Sequence, residues 1–169
     1  MDAETAIRTR RTHKRFGAEP VPRAVVEELL ELARWAPNHQ LTQPWRFRVL
    51  GAEALRRLAA TGAPGELEKL SRAPTLVVAS ATQTGDDHQN HEDVLATAAA
   101  VYIVLLAAHA RGLASYWRTP RVLQSREGQA AVGMGEDEVF VALVHLGPAV
   151  DEPVAKERRP PADYVTFLE

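Results

Sequence analysis

Glu92 to Gly112 reads EDVLATAAAVYIVLLAAHARG. A helix laid on this stretch is apolar all round from Ala98 to Ala108, so it is expected to be buried on every side. Gly112 stands where such a helix ends. A chain of 169 residues builds one core of average size and has little else with which to cover a helix completely. A second subunit is therefore expected to supply the remaining cover. The uninterrupted apolar run is 11 residues, short of the roughly 20 that cross a bilayer.

Upstream, Asp86 to Asp93 is polar and reads as a loop leading into this helix. Thr75 to Ala81 is a continuous apolar run after Pro74, the pattern of a strand covered on both faces. Two short helices are expected at Glu53 to Ala60 and Glu66 to Arg72, separated by Gly62, Pro64 and Gly65. Trp45 to Leu50 alternates apolar and basic residues as a half-exposed strand does. Val25, Val26, Leu29, Leu30 and Ala33 recur at helical spacing after Pro22, and Pro37 stops that helix near Trp35. Downstream lie Leu113 to Tyr116, a short helix near Val122 to Val132 and a strong strand at Val139 to Leu146. Helix, strand, helix, strand, long helix, strand and tail make an α+β or mixed α/β sandwich. Residues 1–169 are expected to form a single domain, with 149–169 an extended tail that carries three prolines.

The net charge of −2 gives no field that would draw nucleic acid or membrane to the whole surface. There are no cysteines, which excludes disulfides, thiolate metal sites and thiol nucleophiles, so redox chemistry would need a bound cofactor. Met1 to Phe16 lacks the apolar core of a secretory signal, and a cytoplasmic location is expected. Arg8, Arg10, Arg11, Lys14 and Arg15 crowd into eight residues, suited either to a phosphate or to a solvated basic arm. No Walker or dinucleotide glycine loop is present, so side chains would have to hold such a phosphate. His88 and His91 read better as part of an acidic helix start than as metal ligands. No serine has the setting of a hydrolase nucleophile.

Three runs together carry a resemblance: Arg10-Arg11-Thr12-His13-Lys14-Arg15-Phe16, then Ala36 to Phe47 (APNHQLTQPWRF), then Gly112 to Pro120 (GLASYWRTP). In order and spacing they resemble the short subgroup of FMN-dependent nitroreductases over nearly the whole chain. The resemblance implies a nitroreductase-like α+β sandwich: a central mixed sheet flanked by helices, with the long helix at a homodimer interface. It implies FMN at the subunit boundary and NAD(P)H as reductant. Carried across, Arg10, Arg11 and Thr12 would take the ribityl phosphate, and Lys14 the ring edge. Trp35 and His39 would make the contacts that come from the other subunit, and the segment Trp117, Arg118 and Thr119 would line the flavin as well. Lys156, Arg158 and Arg159 are the basic residues of the tail that would touch the phosphate.

The flavin would carry the chemistry in a ping-pong cycle through its N5, with Lys14 as electrostatic support and no side chain as nucleophile. The acceptor is expected to be a small molecule of nitroaromatic or quinone type. Two alternatives stand beside this: a flavin-storing or metabolite-specific flavoprotein, and a nucleic-acid-binding module built on the basic arm with Trp45 and Phe47.

Overall fold

A computed structural model describes residues 1–168. In chain order it contains α1 (Ala3–Thr9), α2 (Arg23–Ala33), β1 (Trp45–Val49), α3 (Ala52–Ala60), α4 (Glu66–Leu70) and β2 (Thr75–Thr82). Then come α5 (Asp87–Ala110), β3 (Leu113–Arg118), α6 (Arg126–Ala131) and β4 (Glu138–Pro148). The sheet order is β1-β2-β4-β3.

All three pairings are antiparallel, so the expected mixed sheet is corrected to an antiparallel one. The reason lies in where the last strand goes. Because β2 and β3 are each antiparallel to β4, they run in the same direction, joined by α5 as a crossover helix. β4 lies between them and separates the two strands that would have formed a parallel pair.

Strand alternation divides the core between the two faces of the sheet. On one face Val77 and Ala79 of β2 and Ala142, Val144 and Leu146 of β4 pack with Leu29 and Ala33 of α2 and with Val101 and Val104 of α5. On the other, Leu76 and Val78 of β2 and Leu143 of β4 meet Leu58 of α3, Leu70 and Leu123. Each fully buried leucine contributes roughly 1.5–3 kcal/mol relative to exposure. β2 is buried along nearly its whole length, as its unbroken apolar run demands.

The long helix starts five residues before the expected Glu92, because Asp86 caps it: its carboxylate accepts the N–H of Gln89 at 2.9 Å. The polar residues 87–93 thus form helical turns rather than a loop. α5 is long and apolar enough to cross a membrane by composition, yet half of that stretch is buried within this fold, as in a core helix. Its cover is one-sided. Ala100, Val101, Val104 and Ala108 face the sheet, while Leu95 and Tyr102 are exposed. Gly112 follows at φ 73°, a left-handed position that glycine occupies without strain.

The short helix expected near Val122 to Val132 is split into a 3-10 turn (Arg121–Gln124) and α6, with Ser125 capping α6 through the N–H of Gly128. The N-terminal arm folds further than its composition suggests. Asp2 caps α1 by accepting the Thr5 N–H at 2.9 Å. After β4 the chain is extended and exposed apart from a turn at Pro161–Asp163.

Candidate functional site

α1 docks on the end of α5, where the Thr9 hydroxyl and His109 Nε2 lie 2.7 Å apart. From Arg10 the chain runs as an arm across the edge of the sheet. The His13 N–H donates to the Ser115 carbonyl (3.1 Å) and the Gly17 N–H to the Pro148 carbonyl (3.0 Å). Phe16 bridges to Ala149, so the tail leaves β4 beside the arm. His13 Nδ1 and Arg15 Nε lie 3.3 Å and 3.8 Å from the Asp151 carboxylate, pinning arm and tail together.

Arm and tail enclose a cavity of about 480 Å³ walled by Arg10, Arg11, Thr12, Lys14, Lys156 and Arg158, with Asp151, Pro153 and Val154 completing it. Asp151 is its one carboxylate, already engaged by His13 and Arg15. Among the described residues no ion pair reaches the five cations of the wall. Arg10 Nε is buried without a hydrogen-bond partner. Burial first, then the positive charges of Arg10, His13 and Arg11, lowers the pKa of His109 behind the cavity. These are the features of a pocket for an anion, with guanidinium forks and a hydroxyl as donors.

The remaining expected residues are distributed more widely. Arg159 is exposed and lies outside the cavity wall. Strand alternation sends Trp117 toward the α5 face and Arg118 to the opposite side, into a small recess next to Lys14; Thr119 is exposed in neither wall. Trp35 is 74% exposed with Arg34 stacked at 5.9 Å, and His39 sits 3.6 Å from Glu92. Neither lines this cavity.

The loop carrying His39 is held under backbone strain. Gln40, Leu41 and Gln43 have φ of 49°, 55° and 46°, a left-handed region that costs a non-glycine residue on the order of 1–2 kcal/mol each. Asn38 braces the loop by donating to the Ala36 carbonyl and accepting the Gln43 N–H, and the Thr42 hydroxyl donates to buried Asp93 of α5 at 2.7 Å. Asp93 and the structural pair His13–Asp151 escaped notice in the sequence. A lone carboxylate in an apolar helix face was the available signal for Asp93; nothing local announces Asp151.

His88 and His91 are exposed on the first turns of α5, with His88 3.5 Å from Glu92, and no metal-binding cluster occurs among the described residues.

An antiparallel four-stranded sheet with a long crossover helix, and a cation-walled cavity between arm and tail, define an α+β protein whose cation-rich cavity at the arm is suited to an anion. Comparison with known proteins narrows this class. Residues 7–63 match the model of the nitroreductase family. The chain is 30% identical to YfhC of Bacillus subtilis (strain 168), provisionally named an NAD(P)H nitroreductase, with 96% of this chain and 92% of that one covered. A solved nitroreductase-like family protein from Bacillus cereus superposes with TM-score 0.91 at 23% identity, covering 100% of this chain and 97% of that one. A provisionally named nitroreductase from Desulfovibrio desulfuricans, solved in complex with FMN, gives TM-score 0.83 at 26% identity over 98% and 96% of the two chains. This chain belongs to the nitroreductase family.

Proposed function

We propose that the protein is an FMN-dependent NAD(P)H oxidoreductase that reduces a small oxidised acceptor of nitroaromatic or quinone type, working as a homodimer. The observation that carries this reading is the cavity between arm and tail, with five cations and a threonine in its wall and one engaged carboxylate. The residues fit FMN: the unpartnered Nε of Arg10 needs an acceptor, and a phosphate supplies one. Arg10, Arg11, Thr12, Lys156 and Arg158 would hold the phosphate, while Lys14, which lines both this cavity and the next recess, would stand at the ring edge.

When bound, FMN supplies a carrier that takes hydride from NAD(P)H and passes electrons to the acceptor in a separate visit. The chain's own part is electrostatic: positive charge at Lys14 favours the more negative reduced state. A name given to the Bacillus subtilis relative supports NAD(P)H, and the FMN complex of the Desulfovibrio neighbour supports the flavin.

Dimerisation is supported by apolar side chains left without cover: Leu95 and Tyr102 on α5, and Trp35 and Leu41 near it, the last two each 74% exposed. Trp35 and His39 lie away from their own cavity, which suits contacts made across such an interface.

The visible absorption spectrum of the purified protein, taken before and after NADPH or NADH, tests the reading. A two-band flavin spectrum that bleaches and recovers in air is expected. A colourless protein that FMN cannot reconstitute refutes it, and a bound flavin that no nicotinamide bleaches replaces the reductase with a flavin store.

A further inference from the structure

α1 ends at Thr9, and the next residue, Arg10, is the first cation of the cavity wall. Hydrogen bonds within α1 fix that junction: the Arg10 N–H donates to the Ala6 carbonyl at 2.9 Å and the Thr9 hydroxyl to the Thr5 carbonyl at 2.6 Å. A hydroxyl has one proton to give. With that proton committed to Thr5, the imidazole is the donor in the 2.7 Å contact between His109 Nε2 and Thr9 Oγ1. Nε2 therefore carries a hydrogen whether the ring is neutral or cationic, and protonation at Nδ1 adds charge without breaking the joint between α5 and the arm.

His109 sits half-buried in the last turn of α5, where opposed fields act on it. The C-terminal end of a 24-residue helix favours a cation. Burial, then Arg10, His13 and Arg11 of the arm, disfavour one and hold the ring's pKa below the ordinary histidine value. Other charges that the packed elements bring to this end are engaged in pairs. Arg8 meets Glu4 on α1 (2.8 Å), Arg111 of α5 meets Glu28 of α2 (3.3 Å), and Asp151 of the tail meets His13 (3.3 Å). β3 brings no charged side chain before Arg118.

We propose that His109 is a positioning residue for the phosphate-holding arm, and that it takes up a proton from solvent as the phosphate dianion of FMN enters the cavity, so that flavin retention and protonation of this ring strengthen each other. This rests on the cavity being the FMN phosphate site and gives that site a regulator. Arg10 and Arg11, which disfavour charge on His109, also wall the cavity, and Arg10 Nε is buried there without a partner. A dianion among them offsets their charge, and the helix end is then left favouring the imidazolium. Linkage makes the effect mutual: the factor by which phosphate raises the ring's affinity for a proton is the factor by which the proton raises affinity for phosphate. The gain is complete below the pKa of the ring in the flavin-free protein and is lost as pH rises through its higher value in the loaded one.

The test compares the wild type with His109→Gln, whose amide keeps a donor for Thr9 but does not titrate, and with His109→Leu, which has no donor. Flavin-free protein is titrated with FMN, and separately with riboflavin, at intervals from about pH 8.5 to about pH 5.5. The imidazole resonances that disappear in His109→Gln report the ring's own titration in free and FMN-loaded wild type. The ring is expected to titrate at higher pH when FMN is bound. Affinity for FMN, taken as the ratio of wild type to His109→Gln, should rise about threefold or more as pH falls, up to tenfold per unit of the ring's shift. Ionisation of the FMN phosphate is common to both proteins and cancels in that ratio. Riboflavin, which lacks the phosphate, should give a ratio independent of pH, and His109→Leu should bind FMN about twofold to tenfold more weakly than wild type even at the alkaline end. A ratio for FMN that does not change with pH, a ring that titrates alike in free and loaded protein, a riboflavin ratio that changes as much, or a His109→Leu that binds as tightly as wild type overturns the proposal and leaves the cavity as the flavin site. A wild type that binds no FMN at any pH overturns the reading of the cavity and this proposal with it.

Discussion

Acidification should unfold this protein partly through one residue, His145. In the folded chain burial, followed by the charges of Arg118 and Arg72, brings its pKa from 6.5 down to about 4. The unfolded chain therefore takes up the proton first as pH falls. The contribution to stability is complete above the unfolded value, declines between about 6.5 and about 4, and is gone below the folded value. At roughly 1.4 kcal/mol per pH unit the full window is worth about 3 kcal/mol, and about 2 kcal/mol of that is lost by pH 5. Urea unfolding at about pH 7.5 and about pH 5, at one protein concentration, measures the loss. In His145→Phe, which keeps an aromatic ring between Phe16 and Tyr116, the drop between the two pH values should be about 2 kcal/mol smaller than in the wild type. Equal drops in the two proteins would refute the reasoning, since they would mean that His145 titrates alike in both states.

Three further outcomes are expected. Arg10→Ala should weaken FMN binding about tenfold to a hundredfold, because a charged donor to phosphate is worth roughly 1.5–3 kcal/mol, whereas Lys14→Ala should chiefly lower the flavin's reduction potential; equilibrium dialysis and a redox titration read the two effects. Burial raises the pKa of Glu138, but the Arg48 fork (2.8 Å to Oε2), the Ser80 hydroxyl and the Gly135 N–H more than offset it and leave it lowered. Its contribution is present above the unfolded value and is lost as pH falls through the folded one, and Glu138→Gln, which leaves Arg48 unpaired, should cost roughly 3 kcal/mol in urea melts near neutral pH. Asp93→Ala removes the acceptor of Thr42 and should release the loop at 40–43, seen as faster amide exchange there without loss of the core's protection.

Much of this was legible in the residues. The unbroken apolar run at Thr75 to Ala81 specified a strand buried on both faces, and the helical spacing from Val25 to Ala33 specified α2, because each pattern has one way to bury its apolar atoms. The basic cluster at Arg10 to Lys14 and the tail cations Lys156 and Arg158 were both visible, and the fold brings them to one cavity. Their meeting was carried by resemblance, since it depends on Phe16 bridging to Ala149, a pairing with no local signature. The antiparallel sheet was hidden for the same reason: strand order is decided by contacts far apart in sequence. Polar composition misled at Asp87 to Asp93, where a cap turns hydrophilic residues into helix, and at Ala3 to Thr9, where Asp2 does the same. The separation of Trp117 from Arg118 follows from simple alternation along β3.

The central position of β4 bears on how the chain is made. Residues 138–148 occupy the slot between β2 and β3, although both of those strands emerge from the ribosome earlier. Until β4 arrives, the hydrogen-bonding edges of β2 and β3 that face the slot have no strand to pair with, and the long apolar helix has only part of a surface on which to lie. Closure of the sheet thus waits for the last fifth or so of the chain, a non-local event of the kind that slows folding and leaves nascent strands open to wrong partners. Synthesis should accordingly produce a protease-sensitive intermediate for as long as β4 remains in the exit tunnel, and a late, concerted gain of protection once it is released.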